Sequence, residues 1–186
     1  GLLAADRAAL GMQPVLLAVG ATEVSFSDLL AHYHALCARL GPLPPPRTLN
    51  VDHGAQRFLL FELPAQAATG ACTTPAMAWV DVPAMGAQVG REFEVAGWAF
   101  KDGVGLSGVE VTLDGKLVAR ATYGIEMPNV AAYWKISTDP QQPRVGFRAH
   151  VDARAFPPGR HWLGLRLHGL DGSIETWSEQ PIHLAP

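Results

Sequence analysis

The sequence predicts an α+β chain of two parts, a small α/β unit followed by a seven-stranded β-sandwich. In the first part, an apolar run at residues 14–19 precedes a stretch with helical periodicity. From residue 78 onward, short runs alternate apolar and polar residues and are separated by Gly and Pro, which is typical of strands and turns. Small and polar residues lie between the two patterns and indicate a linker. The predicted organisation is residues 1–64, linker 65–77 and sandwich 78–186.

Composition narrows the classes of function. The chain has 186 residues, 48% of them apolar, so it contains enough apolar surface for a core. Its formal net charge is −3 and it has no basic cluster, which argues against nucleic-acid binding. No run approaches the roughly 18 apolar residues of a membrane span. Because the sequence begins at Gly1 without a signal-like segment, we expect it to be a piece of a longer protein.

The first 64 residues show one clear helix signal. Ser25 is a good N-cap with Asp28 three residues later, and Gly41 followed by prolines ends the helix. The apolar run before it is predicted to be a strand buried on both faces. Two further strands follow at residues 47–51 and 56–63, joined by a turn at 52–55. A unit this small has a marginal core, so we expect it to pack against other parts of the protein.

The chain has two cysteines. Cys37 lies at the edge of the predicted helix's apolar stripe, and Cys72 lies in the linker. In an oxidising compartment they would form a disulfide, which the chain-entropy model values at about 3–4 kcal/mol. The alternative is one buried and one exposed free thiol.

The second part is organised around residues 95–115. A strand carrying Trp98 leads through a glycine-rich corner into a second strand that ends at Asp114-Gly115, a strong signal for a type I′ hairpin turn. Gly97 and Trp98 are predicted to set close packing inside the sandwich, and Trp98 and Trp162 are predicted to be core or near-core residues. Val109, Val111 and Leu113 are predicted to face inward. Phe93, Val95 and Gly97 are predicted to share one face of their strand, and Leu117, Ala119 and Ala121 one face of theirs. The seven predicted strands are 78–82, 91–100, 107–113, 116–123, 145–151, 160–168 and 174–184.

Residues 79–184 resemble the immunoglobulin-like domains of bacterial envelope and secreted proteins. The motifs that carry the resemblance are Gly97-Trp98-Ala99, the Asp102 to Gly105 corner, Val109-Glu110-Val111, Leu113-Asp114-Gly115, Ala121-Thr122-Tyr123-Gly124, Pro128-Asn129-Val130, Gly146-Phe147 and Pro158-Gly159-Arg160-His161. Met127 and Asn129 stand where an Arg and an Asp are usual, so an ionic contact there is not expected. No family resemblance covers residues 1–70.

The resemblance implies a role more than a reaction. Such domains resemble adhesion or spacer modules, and similar ones are appended to large membrane-bound sugar-handling enzymes. The leading expectation is therefore a non-catalytic, extracytoplasmic accessory part of a larger bacterial cell-envelope protein linked to glycan handling. Its parent could be a membrane glycosyltransferase. The expected partners are a glycan or envelope protein and an upstream membrane-embedded part of the same chain, with no cofactor.

An alternative is a carbohydrate-binding module. The long irregular passage at residues 124–143 contains Tyr133 and Trp134, and Tyr123 directly precedes it. Aromatic rings stack on sugars when they are exposed, although they are more often core residues. Trp134 is predicted to be the exposed platform of this site, with Tyr133 and Tyr123 beside it.

A third hypothesis is a small metal-assisted hydrolase centred on Asp52 and His53. His34 and Cys37 are spaced i, i+3 on the predicted helix and could join them on a zinc ion, whereas His32 points elsewhere. Ser25, Ser27 and Cys37 are the possible nucleophiles, but Ser25 is better explained as a helix cap. The sequence contains no Gly-x-Ser-x-Gly elbow, P-loop or dinucleotide motif. We therefore predict neither a catalytic nor a metal site.

Overall fold

The structure is a computed structural model that describes residues 15–22, 35, 47–51, 56–63 and 75–186. The chain divides into two compact units, Gly1–Pro75 and Ala76–Pro186. Within the described residues, no helix is both long enough and apolar enough to cross a bilayer.

The first unit contains a three-stranded sheet. Its strands are β1 (Val15–Thr22), β2 (Arg47–Val51) and β3 (Gln56–Leu63), and β3 lies in the middle, antiparallel to both neighbours. The predictions for β2 and β3 are confirmed, and β1 extends past the predicted end at residue 19. Of the predicted helix, only Ala35 is among the described residues, and it is helical. The turn at 52–55 lies outside them, so the α/β assignment of this unit stays a prediction.

The second unit consists of two β-sheets and one short helix, α1 (Pro128–Tyr133). One sheet has four strands in the order β4-β6-β10-β9, and the other has five in the order β5-β12-β11-β7-β8. All neighbours are antiparallel except β5 and β12. The strands are β4 (Met77–Val82), β5 (Gln88–Val89), β6 (Glu92–Phe100), β7 (Leu106–Leu113), β8 (Lys116–Arg120), β9 (Thr122–Ile125), β10 (Gly146–Asp152), β11 (Gly159–Gly169) and β12 (Ile174–Leu184).

This strand order is that of an immunoglobulin-like sandwich. The immunoglobulin fold places strands A, B, E and D in one sheet and C, F and G in the other, and some members add C′ beside C. Here β4, β6, β10 and β9 occupy the first set, and β7, β11, β12 and β8 occupy the second. The predicted immunoglobulin-like architecture of residues 79–184 is confirmed.

The sandwich has nine strands rather than the predicted seven. The segment predicted as one strand at 116–123 divides at Ala121, so that β8 pairs with β7 in one sheet and β9 pairs with β10 in the other. The additional β5 has two residues, too few to show a periodicity. Ala76 and Met77, assigned to the linker from sequence, are buried, and Met77 begins β4.

The core lies between the sheets and follows the predicted alternation along β6 and β7. Phe93, Val95 and Gly97 face inward from β6, as Val109, Val111 and Leu113 do from β7. On β8, Ala119 and the following Ala121 pack against the core, whereas Leu117, predicted to share their face, is 45% exposed. The β7–β8 pairing shifts register between Val111 and Thr112, so Leu117 lies opposite Thr112 and leaves the inward-facing row.

Two local predictions for residues 95–115 are confirmed. Asp114 and Gly115 both have positive φ, 50° and 76°, as a type I′ turn requires. A Cβ atom on Gly97 would come within 2.0 Å of the carbonyl oxygen of Trp79 on the neighbouring strand. Gly97 therefore allows β4 and β6 to approach each other at a point where any side chain would collide with backbone.

Candidate functional site

Trp134, predicted to be an exposed platform, is 2% exposed, so that prediction is wrong. The short helix α1 ends just before it, and its indole turns inward to pack edge-on against Trp98 and Phe100, with ring centroids 5.8 and 5.2 Å away. An apolar ring of this size gains more from filling the end of the core than from contact with water. Trp134 therefore anchors the loop that follows it.

The other predicted ligand residues differ in accessibility. Tyr133 is 52% exposed and contacts Trp134 edge-on. Tyr123 is partly buried, and its hydroxyl donates a hydrogen bond to the carbonyl oxygen of Ala99 at 2.8 Å. Burial raises the pKa of this hydroxyl far above its usual value, so it remains a donor. Only Tyr133 presents most of its ring to solvent, and the roles of Tyr133 and Tyr123 in binding stay predictions.

An open cleft of about 660 Å³ lies along the predicted 124–143 passage. We call it the loop cleft. Its walls come from the end of β9 and from the turn that leads into β10. The lining residues are Gly124, Glu126, Pro140, Gln141, Gln142, Pro143 and Arg144.

The loop cleft combines hydrogen-bond donors with acceptors. The Arg144 guanidinium and the Glu126 carboxylate are both exposed and lie 3.7 Å apart. The amide nitrogen of Gln142 donates to the hydroxyl of Ser137 at 3.4 Å, whereas its Oε1 is buried without a hydrogen-bond partner among the described residues. Buried polar atoms are normally paired, so this oxygen is an exception, and its burial keeps it out of reach of a ligand in the cleft.

Hydrogen bonds from two directions hold the wall of the loop cleft in place. The side-chain oxygen of Gln141 accepts from the backbone N–H of Leu106 at 2.7 Å. The backbone N–H of Gln141 donates to Asp139 Oδ1, also at 2.7 Å. These bonds attach the turn to the start of β7 and restrict the rotamers of Gln141.

Two buried aspartates fix the loop to the glycine-rich corner at residues 101–105. Asp139 accepts from the backbone N–H of Lys101 at 2.6 Å, and burial is the main cause of its raised pKa. Asp102 Oδ1 accepts from the Ser137 hydroxyl at 2.7 Å and from the Thr138 N–H at 3.0 Å. The loop that forms the cleft is therefore held by its own side chains before any ligand arrives.

The same end of the sandwich contains a buried ion pair. Lys101 Nζ donates to Glu175 Oε2 at 3.0 Å and to the Ser173 hydroxyl at 2.7 Å, and it lies 3.5 Å from Asp171. Burial raises the pKa of Glu175, and the nearby Lys101 opposes that shift. Both Glu175 oxygens accept from the backbone N–H of Ala76 at 3.1 Å. This arrangement connects β12, the 101–105 corner and the start of β4, which is a structural role.

The cleft-lining polar residues Glu126, Gln141, Gln142 and Arg144 were not predicted from sequence. Aromatic side chains carry a more recognisable binding signal in a sequence than isolated polar residues do. The available signal was the turn-forming run of residues 139–143, which contains two prolines between predicted strands.

The residues of the hydrolase hypothesis lie outside the described part of the chain. They are Ser25, Ser27, His32, His34, Cys37, Asp52 and His53. The Cys37–Cys72 pair also lies outside it, so the disulfide stays a prediction. Within residues 15–22, 35, 47–51, 56–63 and 75–186, no three His, Cys, Asp or Glu side chains form a group that could hold a metal ion.

No protein-family model and no curated protein sequence matches this chain. Among solved structures, it is similar to the endo-β-1,4-mannanase from Thermotoga petrophila at 12% identity and a TM-score of 0.40, over 59% of this chain and 20% of that one. The fibronectin(III)-like modules of Clostridium thermocellum CbhA match at 17% identity and TM-score 0.37, over 58% of this chain and 94% of theirs. The Streptococcus sanguinis adhesin SrpA matches at 14% identity and TM-score 0.39, over 62% of this chain and 60% of its own.

Proposed function

We propose that this chain is a non-catalytic, extracytoplasmic interaction part of a larger bacterial cell-envelope protein, and that its loop cleft binds a saccharide. The observation that carries the proposal is the cleft itself, an open space of about 660 Å³ with polar walls on a preorganised loop. Small-molecule sites commonly measure roughly 300–1,000 Å³. The volume is thus sufficient for a short saccharide.

The chemistry of the walls favours a sugar over an apolar ligand. Sugar hydroxyls both donate and accept, and the cleft offers the exposed donor Arg144 beside the exposed acceptor Glu126. Asp139 and Leu106 already hold the cleft wall in place. A ligand would therefore lose little binding free energy to the ordering of the loop.

The proposal extends to the parent protein. We expect an upstream membrane-embedded part of the same polypeptide, belonging to a membrane enzyme such as a glycosyltransferase, with a glycan or envelope protein as partner. Immunoglobulin-like sandwiches support this role because they present loops at their ends on a rigid frame. Membrane fractionation of the full-length product, probed with an antibody to this segment, tests the expectation.

Binding through the loop cleft is tested by screening the protein on a glycan array and titrating the best saccharide by calorimetry. We expect Glu126→Ala and Arg144→Ala each to weaken binding by about tenfold, since each removes an exposed charged group that can hydrogen-bond to a sugar. Arg154→Ala is the matched control. Arg154 is also exposed and ion-paired, but it lies beyond the opposite end of β10.

Thermal unfolding of each variant shows that the fold is retained. Loss of binding in the Arg154 variant, or full binding in both cleft variants, would exclude the cleft as the site. Tyr133→Ala tests whether the sugar stacks on this exposed ring instead. If Tyr133→Ala alone abolishes saccharide binding, the sugar binds on the ring and not in the loop cleft.

A further inference from the structure

The outer face of the five-stranded sheet carries an exposed tryptophan. Trp162, predicted to be a core or near-core residue, is instead 39% exposed on β11. Its backbone is firmly held, because its N–H donates to Asp114 Oδ1 at 2.9 Å and its carbonyl oxygen accepts from the Asp114 N–H at 2.8 Å. The Arg160 guanidinium lies over the indole, 4.6 Å from the ring centroid. The ring therefore has a defined position with a positive charge beside it.

Basic side chains dominate the charge around this ring. Arg166 follows on the same face of β11, and Glu110 lies opposite it on β7. Glu110 is in turn 3.3 Å from Arg120 on β8 and 3.1 Å from His168 on β11. We define the Trp162 face as Trp162, Arg160, Arg166, Arg120, His168 and Glu110.

The charge balance of the Trp162 face differs from that of the whole chain. With histidine neutral, its three Arg side chains against Glu110 and the adjoining Asp114 carboxylate give a net +1, whereas the chain as a whole carries −3. The Glu110 carboxylate pairs with Arg120, so Arg160 and Arg166 are the cations of the face that remain for a ligand. A local positive area on an acidic protein attracts anions selectively.

We propose that the Trp162 face binds an acidic saccharide that carries carboxylate groups, such as a uronic-acid chain. The apolar side of a sugar ring would pack against the exposed part of the indole, while a carboxylate would pair with Arg160 and the next one with Arg166. Arginine suits this role because its planar guanidinium binds carboxylates through two parallel hydrogen bonds.

The Trp162 face is independent of the loop cleft. The two share no residue, and they lie on different sheets of the sandwich. The exposed large apolar side chains on the outer side of this sheet, Leu117, Trp162 and Ile174, are single residues on three strands, so they form a patch that is small compared with the roughly 800 Å² per partner of a stable protein interface. Charge and a single aromatic ring therefore favour a saccharide over a protein as the occupant.

Calorimetric titration with oligogalacturonate tests the proposal, with a maltooligosaccharide of equal length as the uncharged reference. We expect binding of the acidic chain that weakens as salt is added, and much weaker binding of the neutral one. Trp162→Ala and Arg160→Gln should each reduce affinity about tenfold, and Trp162→Phe should retain most of it. Tyr133→Ala is the matched control, because Tyr133 is an exposed aromatic residue elsewhere on the sandwich.

Several results would overturn the proposal. These are equal affinity for the two saccharides, no binding of oligogalacturonate, or undiminished binding by both Trp162→Ala and Arg160→Gln. Self-association in sedimentation that Trp162→Ala abolishes would identify a second copy of the chain as the occupant instead. Arg144→Ala should leave oligogalacturonate binding intact. The proposal for the loop cleft and the proposal for the Trp162 face can therefore be refuted separately.

Discussion

At the scale of single residues, His161 shows how one buried side chain fixes a turn. Its Nδ1 lies 2.7 Å from Asp114 Oδ2 and its Nε2 lies 2.8 Å from the carbonyl oxygen of Pro157. Both ring nitrogens thus face acceptors, and only the protonated imidazole can donate to both. The same Asp114 carboxylate also accepts from the backbone of Trp162, so it connects the type I′ turn to β11.

This geometry predicts a pH-dependent stability. The hydrogen bond to Asp114 is the main cause of the raised pKa of His161, above its ordinary 6.5. The stabilisation is therefore complete below pH 6.5 and is lost as pH rises through the higher pKa of the folded state. NMR titration of the ring should give a pKa above 6.5 that Asp114→Asn lowers, and urea unfolding should show stability falling over that window.

Asp171→Asn is the matched control for this titration, because Asp171 lies in the β11–β12 turn at the other end of β11. It should leave the His161 pKa unchanged. A His161 pKa at or below 6.5, or one that Asp114→Asn does not alter, would contradict the proposed hydrogen bond.

At the scale of elements, the loop end of the sandwich is held by polar groups as well as apolar ones. Lys101 in the corner after β6 and Glu175 on β12 are both buried, and they are 74 positions apart in the chain. Removing one partner from a buried ion pair leaves the other charge uncompensated in a medium that solvates it poorly. Substitution of either residue should therefore destabilise the 101–105 corner, β4 and β12 together.

We predict that Lys101→Met lowers the free energy of unfolding by about 3–5 kcal/mol, measured by urea denaturation. Adding Glu175→Gln should recover part of that loss, because the neutral amide removes the buried charge and can still accept from Ala76. Arg120→Ala is the matched control. Arg120 is a highly exposed cation whose pair with Glu110 should contribute less than about 1 kcal/mol. Equal losses from Lys101→Met and Arg120→Ala would contradict the prediction.

At the scale of the whole molecule, the second unit has a core of its own. Buried side chains from both sheets form one continuous cluster, which includes Val95, Phe147, Leu163 and Trp177. Among the residues whose burial the structure describes, the members of this cluster lie within Ala76–Pro186. An independent core is the physical requirement for a domain that folds alone.

We therefore predict that residues 75–186, expressed alone, unfold in one cooperative transition. Globular domains absorb about 0.7 kcal/mol per residue near 60 °C, so calorimetry should give roughly 80 kcal/mol. As a control, the calorimetric enthalpy is compared with the van't Hoff enthalpy. The two should be equal if unfolding is two-state. A broad transition with a much smaller enthalpy would show that this unit depends on the rest of the chain.

Local sequence signals were sufficient to predict the structure wherever it depends on residues adjacent in the chain. The alternation in β6 and the Asp114-Gly115 turn depend on strand periodicity and on permitted backbone angles, and both are visible in a few residues. The division of residues 116–123 between two sheets was not visible, because it depends on which strand each half meets.

The candidate site depended more strongly on tertiary structure. The sequence singled out the passage at 124–143 for an aromatic sugar-binding platform, and the loop cleft lies along that passage. It misplaced the tryptophans, because periodicity cannot tell which ring has space in the core. Trp134 packs in the core beside Trp98 and Phe100, whereas Trp162 faces outward on β11.

By itself, then, the sequence determined that residues 79–184 form an immunoglobulin-like sandwich and that a tight turn joins β7 to β8. The turn and the strand periodicity follow from interactions between residues close in the chain. Only the tertiary structure decided that Trp134 is an anchor, that Trp162 is a surface residue and that Lys101 meets Glu175. Burial and charge pairing depend on residues far apart in sequence, and their energies exist only once the two sheets have packed.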